Sequence, residues 1–268
     1  MTARAVVLFS RGRAMQLHVS QADILSGLRD LGLGEGDTVL THSSLKSFGN
    51  VEGGADAVID ALVECVGPRG CVVVPTLTLG SSESPVRFDV ANSPSTSGLV
   101  TETLRKRPEA RRSLHPTSSA AAIGWAADEL TRHHLDTPCG LVSPYGQVYL
   151  RGGWCLFMGA TWGSNTMFHV AEEIAGLEYL RYATFPDARL IDETGVERVV
   201  TFRRYNCYQT GVKRDLVAMG PRFEAAGAAR RGRIGPSECM LIRARDVIDI
   251  SLKALADELD SIVTYETT

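Results

Sequence analysis

The sequence predicts a layered α/β fold with a mixed, partly antiparallel central sheet, in one domain covering residues 1–268. Three observations carry this prediction. Short apolar runs such as CVVVPT and WCLFM alternate with stretches of helical spacing, the signature of α/β layering. Gly or Gly-Pro closes several of the helical stretches. Residues 178–206 alternate instead, so they read as antiparallel strands in a mixed sheet. With 44% hydrophobic and 22% charged residues, the chain can bury a sizeable core.

The elements follow in order. Ala5–Phe9 is a short apolar stretch between Arg4 and Arg11, read as a first strand or a leader. Ser20 caps a helix carried by Ile24, Leu25, Leu28 and Leu31 and stopped at Gly32 and Gly34. Thr38–Thr41 is a strand, and Ala57, Val58, Leu62 and Val66 mark a helix ending at Gly67-Pro68. Cys71–Thr76 is a buried strand and 80–97 is Ser- and Pro-rich loop. Then come a helix (Leu99–Lys106), a strand (Ser118–Ile123), a helix (Trp125–His133), a strand (Trp154–Met158) and a helix (Asn165–Ala175). Hairpin breaks are expected at Pro186-Asp187 and Thr194-Gly195, and Asp246–Ile262 is helical by spacing. There is no internal repeat and no linker.

Charge and cysteine usage narrow the function. A net charge of −3 points away from nucleic acid and anionic membranes as partners. No apolar run approaches the ~20 residues of a membrane span, and Ala5–Phe9 is shorter than the ~7–15 residue core of a secretory signal. A cytoplasmic protein is expected. The six cysteines show no C-x-x-C spacing and read as buried free thiols rather than a zinc or disulfide set.

Three segments carry chemistry. In Gly159–Gly176 (GATWGSNTMFHVAEEIAG) an apolar strand gives way to a helix bearing His169, with Glu172 and Glu173 three and four residues on. Both spacings put a carboxylate on the histidine's side of the helix. A His–carboxylate pair there serves proton transfer, because the carboxylate sets the tautomer and stabilises the imidazolium. The same spacing also fits a helix-surface ion pair without chemistry. In Arg111–Gly124 (RRSLHPTSSAAAIG) His115 precedes Pro116 and a run of small residues that lets a cofactor or another backbone approach. In Thr41–Gly54 (THSSLKSFGNVEGG) hydroxyls and free backbone N–H groups join a strand to a helix, a place suited to phosphate or pantetheine. It is neither a Walker A nor a G-x-G-x-x-G pattern, and an ordinary capped loop fits it too.

Taken in order, THSSLKSFGNVEGGADAVIDAL, VGPRGCVVVPTLT, FDVANSPSTSGLVTETLRKRPEARRSLHPTSSAAAIG, SPYGQVYLRGGWCLFMGA and NTMFHVAEE resemble the aminoglycoside 3-N-acetyltransferase family. GRIGPSECMLIRARDVID near the C-terminus resembles it more weakly. The resemblance implies an α/β/α fold unlike the GNAT acetyltransferases, with acetyl-CoA as donor and direct transfer to a small-molecule amine in a ternary complex. It places the catalytic H-x-x-E motif on His169 and Glu172, with His115 as the next candidate base. It places the CoA-side H-S-S-L turn on His42, Ser43, Ser44 and Leu45, and the R-S-x-H-P element on Arg112, Ser113, His115 and Pro116. The run that includes Ser118 is expected to line the CoA groove with them. No metal is implied, and a homodimer is left open.

One departure bears on the acceptor. Resistance members of the family resemble P-T-F-T-W-D after the third strand; here the run is PTLTLGSSESP, without that Trp and Asp. With Arg203 and Arg204 in the substrate half, an acceptor bearing an anionic group is expected. The rival readings are a metal-dependent hydrolase using His169, Glu172 and one of His115, His133 or His134, and a non-catalytic CoA- or ligand-binding relative.

Overall fold

The computed structural model describes residues 18–78, 84–207 and 211–265. The Ala5–Phe9 stretch lies outside them. Strand β1 (His18–Val19) leads into helix α1 (Gln21–Leu31), which Ser20 caps through a capping box with Asp23. Gly32 ends α1 at φ 94°, a conformation that favours glycine. Strand β2 (Thr38–Ser43) runs on past the expected Thr41. Strand β3 (Asn50–Val51) pairs with β1, helix α2 (Gly54–Val66) ends at Gly67, and β4 (Cys71–Pro75) is buried throughout. The stretch expected to be loop contains β5 (Arg87–Asp89), whose partner lies far along the chain.

Helix α3 (Leu99–Arg105), β6 (Arg111–Arg112), β7 (Ala120–Gly124) and the short α4 (Ala127–Thr131) follow. Helix α5 (Pro144–Leu150) was not anticipated, although Ser143 caps it and Pro144 opens it. Strand β8 (Trp154–Met158) and helix α6 (Thr166–Ala175) lie where the sequence places them. Strands β9 (Tyr182–Ile191) and β10 (Glu197–Tyr205) form an antiparallel hairpin turning at Thr194-Gly195. The expected break at Pro186-Asp187 does not occur. A bulge in the pairing, between Val200 and Phe202, lets the strand absorb Pro186. The chain closes with β11 (Val212–Arg214), α7 (Gly220–Ala225), β12 (Arg230–Ile234), β13 (Ser237–Arg243), α8 (Ala244–Asp257) and β14 (Val263–Tyr265). Helix α8 stops at Asp257, short of the expected Ile262.

The central sheet has seven strands in the order β12-β13-β8-β2-β4-β7-β6. Strands β8, β2 and β4 are mutually parallel, and the chain reverses at β13 on one side and β7 on the other. The sheet is therefore mixed, but not through residues 178–206. Those strands make a separate three-stranded sheet in the order β10-β9-β5. On one face α1, α2 and α3 pack apolar side chains against Val39, Val72, Val74 and Leu156. On the other, α4, α5, α6 and α8 cover Leu40, Val73, Cys155 and Phe157. All six cysteines are free and buried, as expected.

Arg112 staples this frame together. Its Nε donates to Thr76 Oγ1 and Ser119 Oγ, its Nη1 to the Val90 and Ser93 carbonyls and its Nη2 to the Thr76 carbonyl, at 2.6–3.2 Å. The guanidinium also lies over the Phe88 ring. Arg112→Met leaves those buried acceptors unmatched and is expected to cost about 3–5 kcal/mol, read as a lower urea midpoint. A midpoint within error of the wild type removes the staple role.

Candidate active site

The parallel strands β2, β4 and β8 end on one edge of the sheet, the carboxyl edge where open α/β sheets hold ligands. A cavity of about 430 Å³ lies there, a size suited to a small molecule. Thr41, His42, Ser43 and Pro75 line it from the strand ends, Ser97 and Thr101 from the start of α3, and Ser118 from the approach to β7. Thr166 and His169 line it from α6, and Cys139, Tyr205 and Arg214 complete that side. Among the described residues, the hydroxyls Thr41 Oγ1 and Ser43 Oγ are buried without a hydrogen-bond partner.

Local sequence aims α6 at the cavity. Gly159 ends β8 at φ 61°, and a Cβ there would fall 1.8 Å from Ser47 Oγ, so only glycine makes this turn. Asn165 caps the helix by accepting from the Met167 N–H. Met167, Phe168, Val170 and Ala171 are buried, and His169 stays partly exposed on the cavity side.

Of the two carboxylates after the histidine, Glu172 is the one that reaches it. His169 Nδ1 and Glu172 Oε2 are 2.5 Å apart. The Tyr179 hydroxyl donates to Glu172 Oε1 at 2.5 Å, and Arg214 Nη1 donates to Oε2 at 3.1 Å. Burial pushes the Glu172 carboxyl up, but His169, Arg214 and Tyr179 together outweigh it and hold the group below its ordinary range. Glu173 instead accepts from the Cys139 N–H and the Tyr205 hydroxyl, both at 2.7 Å. Since Glu172 takes Nδ1, the nitrogen left to a substrate is His169 Nε2.

His42 stacks on Phe157 at 5.0 Å and lies 3.3 Å from Thr166 Oγ1 through Nε2. Burial, then the nearby His169, hold its pKa at about 3, so it is a neutral ring.

Several expected site residues are turned elsewhere. His115 is fully buried and both its nitrogens are engaged. Nδ1 accepts from the Ser118 N–H at 3.0 Å, which puts the proton on Nε2, and Nε2 donates to the Arg203 carbonyl at 3.0 Å. It thereby ties β10 to the core and offers no lone pair to a substrate. Ser113 Oγ accepts from the Ala120 N–H and meets His134 Nδ1, both at 2.9 Å. Arg112 is the staple described above. Ser44 caps a 3-10 turn and Leu45 packs beside the α1–α2 core. His42, Ser43 and Ser118 do line the cavity; Ser44, Leu45, Arg112 and Ser113 are not among its lining residues.

Arg203 pairs with Asp136 at 2.7 Å and Arg204 lies over the Phe185 ring, both away from the cavity lining. The anionic-acceptor expectation loses their support, and Leu79 and Gly80, at the Trp-Asp position, lie outside the described residues. The residues proposed for a metal hydrolase do not converge either. His115 and His134 stack on each other, His133 is exposed, and no cluster of three or more His, Cys, Asp or Glu with metal-binding geometry occurs among the described residues. Tyr179, Tyr205 and Arg214 had no signal in the local pattern; only folding brings them to α6.

A histidine held by a buried carboxylate thus lies on the wall of a ligand-sized cavity. Comparison with known proteins makes this specific. The family model described as aminoglycoside 3-N-acetyltransferase matches residues 40–256. Aminoglycoside N(3)-acetyltransferase VII of Streptomyces paromomycinus is 33% identical, covering 90% of this chain and 93% of the relative. The solved structure of AAC-IIIb in binary complex with CoASH superposes with a TM-score of 0.80 at 25% identity, covering 89% of this chain and 97% of that one. AAC-VIa bound to sisomicin gives a TM-score of 0.79 at 27% identity over 89% and 98%. The chain belongs to the aminoglycoside 3-N-acetyltransferase family. It is an acyltransferase. No helix among the described residues is long and apolar enough to cross a membrane.

Proposed function

We propose that this enzyme moves the acetyl group of acetyl-CoA directly onto an amine of an aminoglycoside-like or other small-molecule acceptor, with His169 as general base and Glu172 as its orienting partner. The observation that carries this is the His169 ring on the cavity wall with Nδ1 tied to Glu172. An alkyl ammonium is almost fully protonated at neutral pH and has no lone pair to give. One proton is lost to solvent first; His169 Nε2 then takes a second from the neutral amine as the N–C bond forms, and Glu172 stabilises the imidazolium. The C–S bond then breaks, and the proton passes from His169 to the departing sulfur. The donor supplies an already activated thioester, so no acyl-cysteine is required.

The residues present fit the reactive end of the donor. Thr41 Oγ1 and Ser43 Oγ have no hydrogen-bond partner among the described residues, and Pro75 and Leu77 offer apolar wall beside them. The hydroxyls of Ser97, Thr101, Ser118 and Thr166 suit a polyhydroxylated amine, the kind of acceptor the relatives' names describe. CoA at 100 times its Kd is expected to stabilise the protein by roughly 2.7 kcal/mol, seen as a rise in Tm. A flat melting curve at millimolar CoA counts against the donor site. Thiol release from acetyl-CoA across a panel of amines then identifies the acceptor.

A further inference from the structure

Arg214 reaches Glu172 from another part of the chain. It lies on β11, 42 residues beyond the carboxylate, and β11 is held by antiparallel pairing with β14, where Arg214 stands opposite Val263. Its Nη1 donates at 3.1 Å to Glu172 Oε2, the oxygen that also meets His169 Nδ1. Its side chain is 8% exposed, and its guanidinium lies 5.5 Å from the centre of the Tyr205 ring.

We propose that Arg214 is a positioning residue of the proton-transfer site: it fixes Glu172 and offsets the carboxylate's charge where that carboxylate meets the His169 ring. This inference depends on the reading of His169 as base. A lone buried carboxylate would favour the imidazolium before any substrate arrives, and a ring already protonated cannot take the amine's proton. A cation on the same oxygen opposes that bias, and the low dielectric of the buried site strengthens it. Among the described residues, the other titratable groups facing the pair are Tyr179 on Glu172 Oε1, Tyr205 beside the His169 ring at 5.6 Å, Tyr182, neutral His42, and the thiols of Cys139 and Cys207. Behind them Glu173 meets the Cys139 N–H and the Tyr205 hydroxyl.

The test is kcat against pH for Arg214→Gln, Arg214→Lys and Tyr179→Phe, with one amine that the wild type acetylates. Using one amine cancels its own titration from the comparison. Arg214→Gln is expected to move the acidic limb up by about one to two pH units. At pH 7 its kcat falls by about tenfold and recovers in alkali, and KM for acetyl-CoA stays within about twofold. Arg214→Lys keeps the limb near the wild-type position. Tyr179→Phe moves it in the same direction by less, and leaves the ion pair whole, so it carries the test if Arg214→Gln does not fold. Loss of kcat by the same factor at every pH, or an unmoved limb in the Gln and Phe variants, overturns the proposal. His169→Ala is measured alongside. If it stays active the base reading fails, whereas if it is inactive and the limbs do not move only the role of Arg214 fails.

Discussion

Replacing His169 with alanine is expected to lower kcat by roughly 10²–10⁴-fold while CoA binding, followed by thermal shift, is retained. The ring lines the cavity, and its contact with Glu172 uses Nδ1 alone, so truncation removes the proton acceptor without opening the core. Glu172→Gln is expected to lower kcat by less, because the base remains. It should also lower stability, since it leaves Arg214 facing a neutral amide in a buried site. Near wild-type turnover by His169→Ala would show that the dyad is not the base. A wild type that binds CoA yet releases no thiol with any amine would favour a non-catalytic relative.

Acid is expected to destabilise the protein from just below pH 6.5, through three histidines that the fold buries in neutral form. Burial, then the neighbouring His169, hold His42 at about 3. Burial holds His115 at about 4 against the pull of the Arg203 carbonyl. Burial and the stacked His115 keep His134 well below its ordinary value. An unfolded histidine titrates near ~6.5, so below that pH the unfolded chain binds protons the native chain refuses. The stability of the neutral rings is whole above ~6.5 and drains away as pH falls toward the folded values. At pH 5 the loss is about 2 kcal/mol each for His42 and His115, with His134 adding to it, against a typical total of ~5–15 kcal/mol. Below ~4.3 the depressed carboxyl of Glu172 adds a second loss of the same sign. Urea midpoints at pH 7.5, 6 and 5 read this directly. A midpoint that stays level from 7.5 to 5 would mean that the rings protonate without cost.

What could be read from the sequence divides along the range of the interactions. Helices α1 and α6 were legible because apolar spacing, a capping side chain and a closing glycine all lie within a few residues of one another, α2 from its spacing and closing glycine, and strand β8 from its short apolar run. Strand β5 was not, because its partner begins about a hundred residues later, at Arg189. The β12–β13 hairpin was seen only as a motif, GRIGPSECML, although Gly235-Pro236 marks its turn. At the site, His169 and Glu172 share one helical turn and are adjacent by spacing alone. Arg214 and Tyr179 meet that turn only after the second half of the chain has folded over it. The elements named by resemblance mix two kinds of residue. His42, Ser43 and Ser118 face the cavity, while Arg112, Ser113 and His115 hold the wall behind it upright. Sequence alone shows the same motif for both.

The six buried cysteines bear on how the enzyme survives its own product. Each turnover releases a free coenzyme thiol, and an oxidised form of that thiol is a disulfide able to cap any protein thiolate it meets. Burial raises the pKa of all six thiols, to about 11 for Cys65 and Cys239 and about 12 for Cys71. Cys139, on the cavity wall itself, is raised well above its ordinary value by burial and then by the charge of Glu173. Exchange needs the thiolate. Cys139 thus stays protonated, neither drawing an acetyl group onto itself nor becoming trapped as a mixed disulfide when the surroundings turn oxidising.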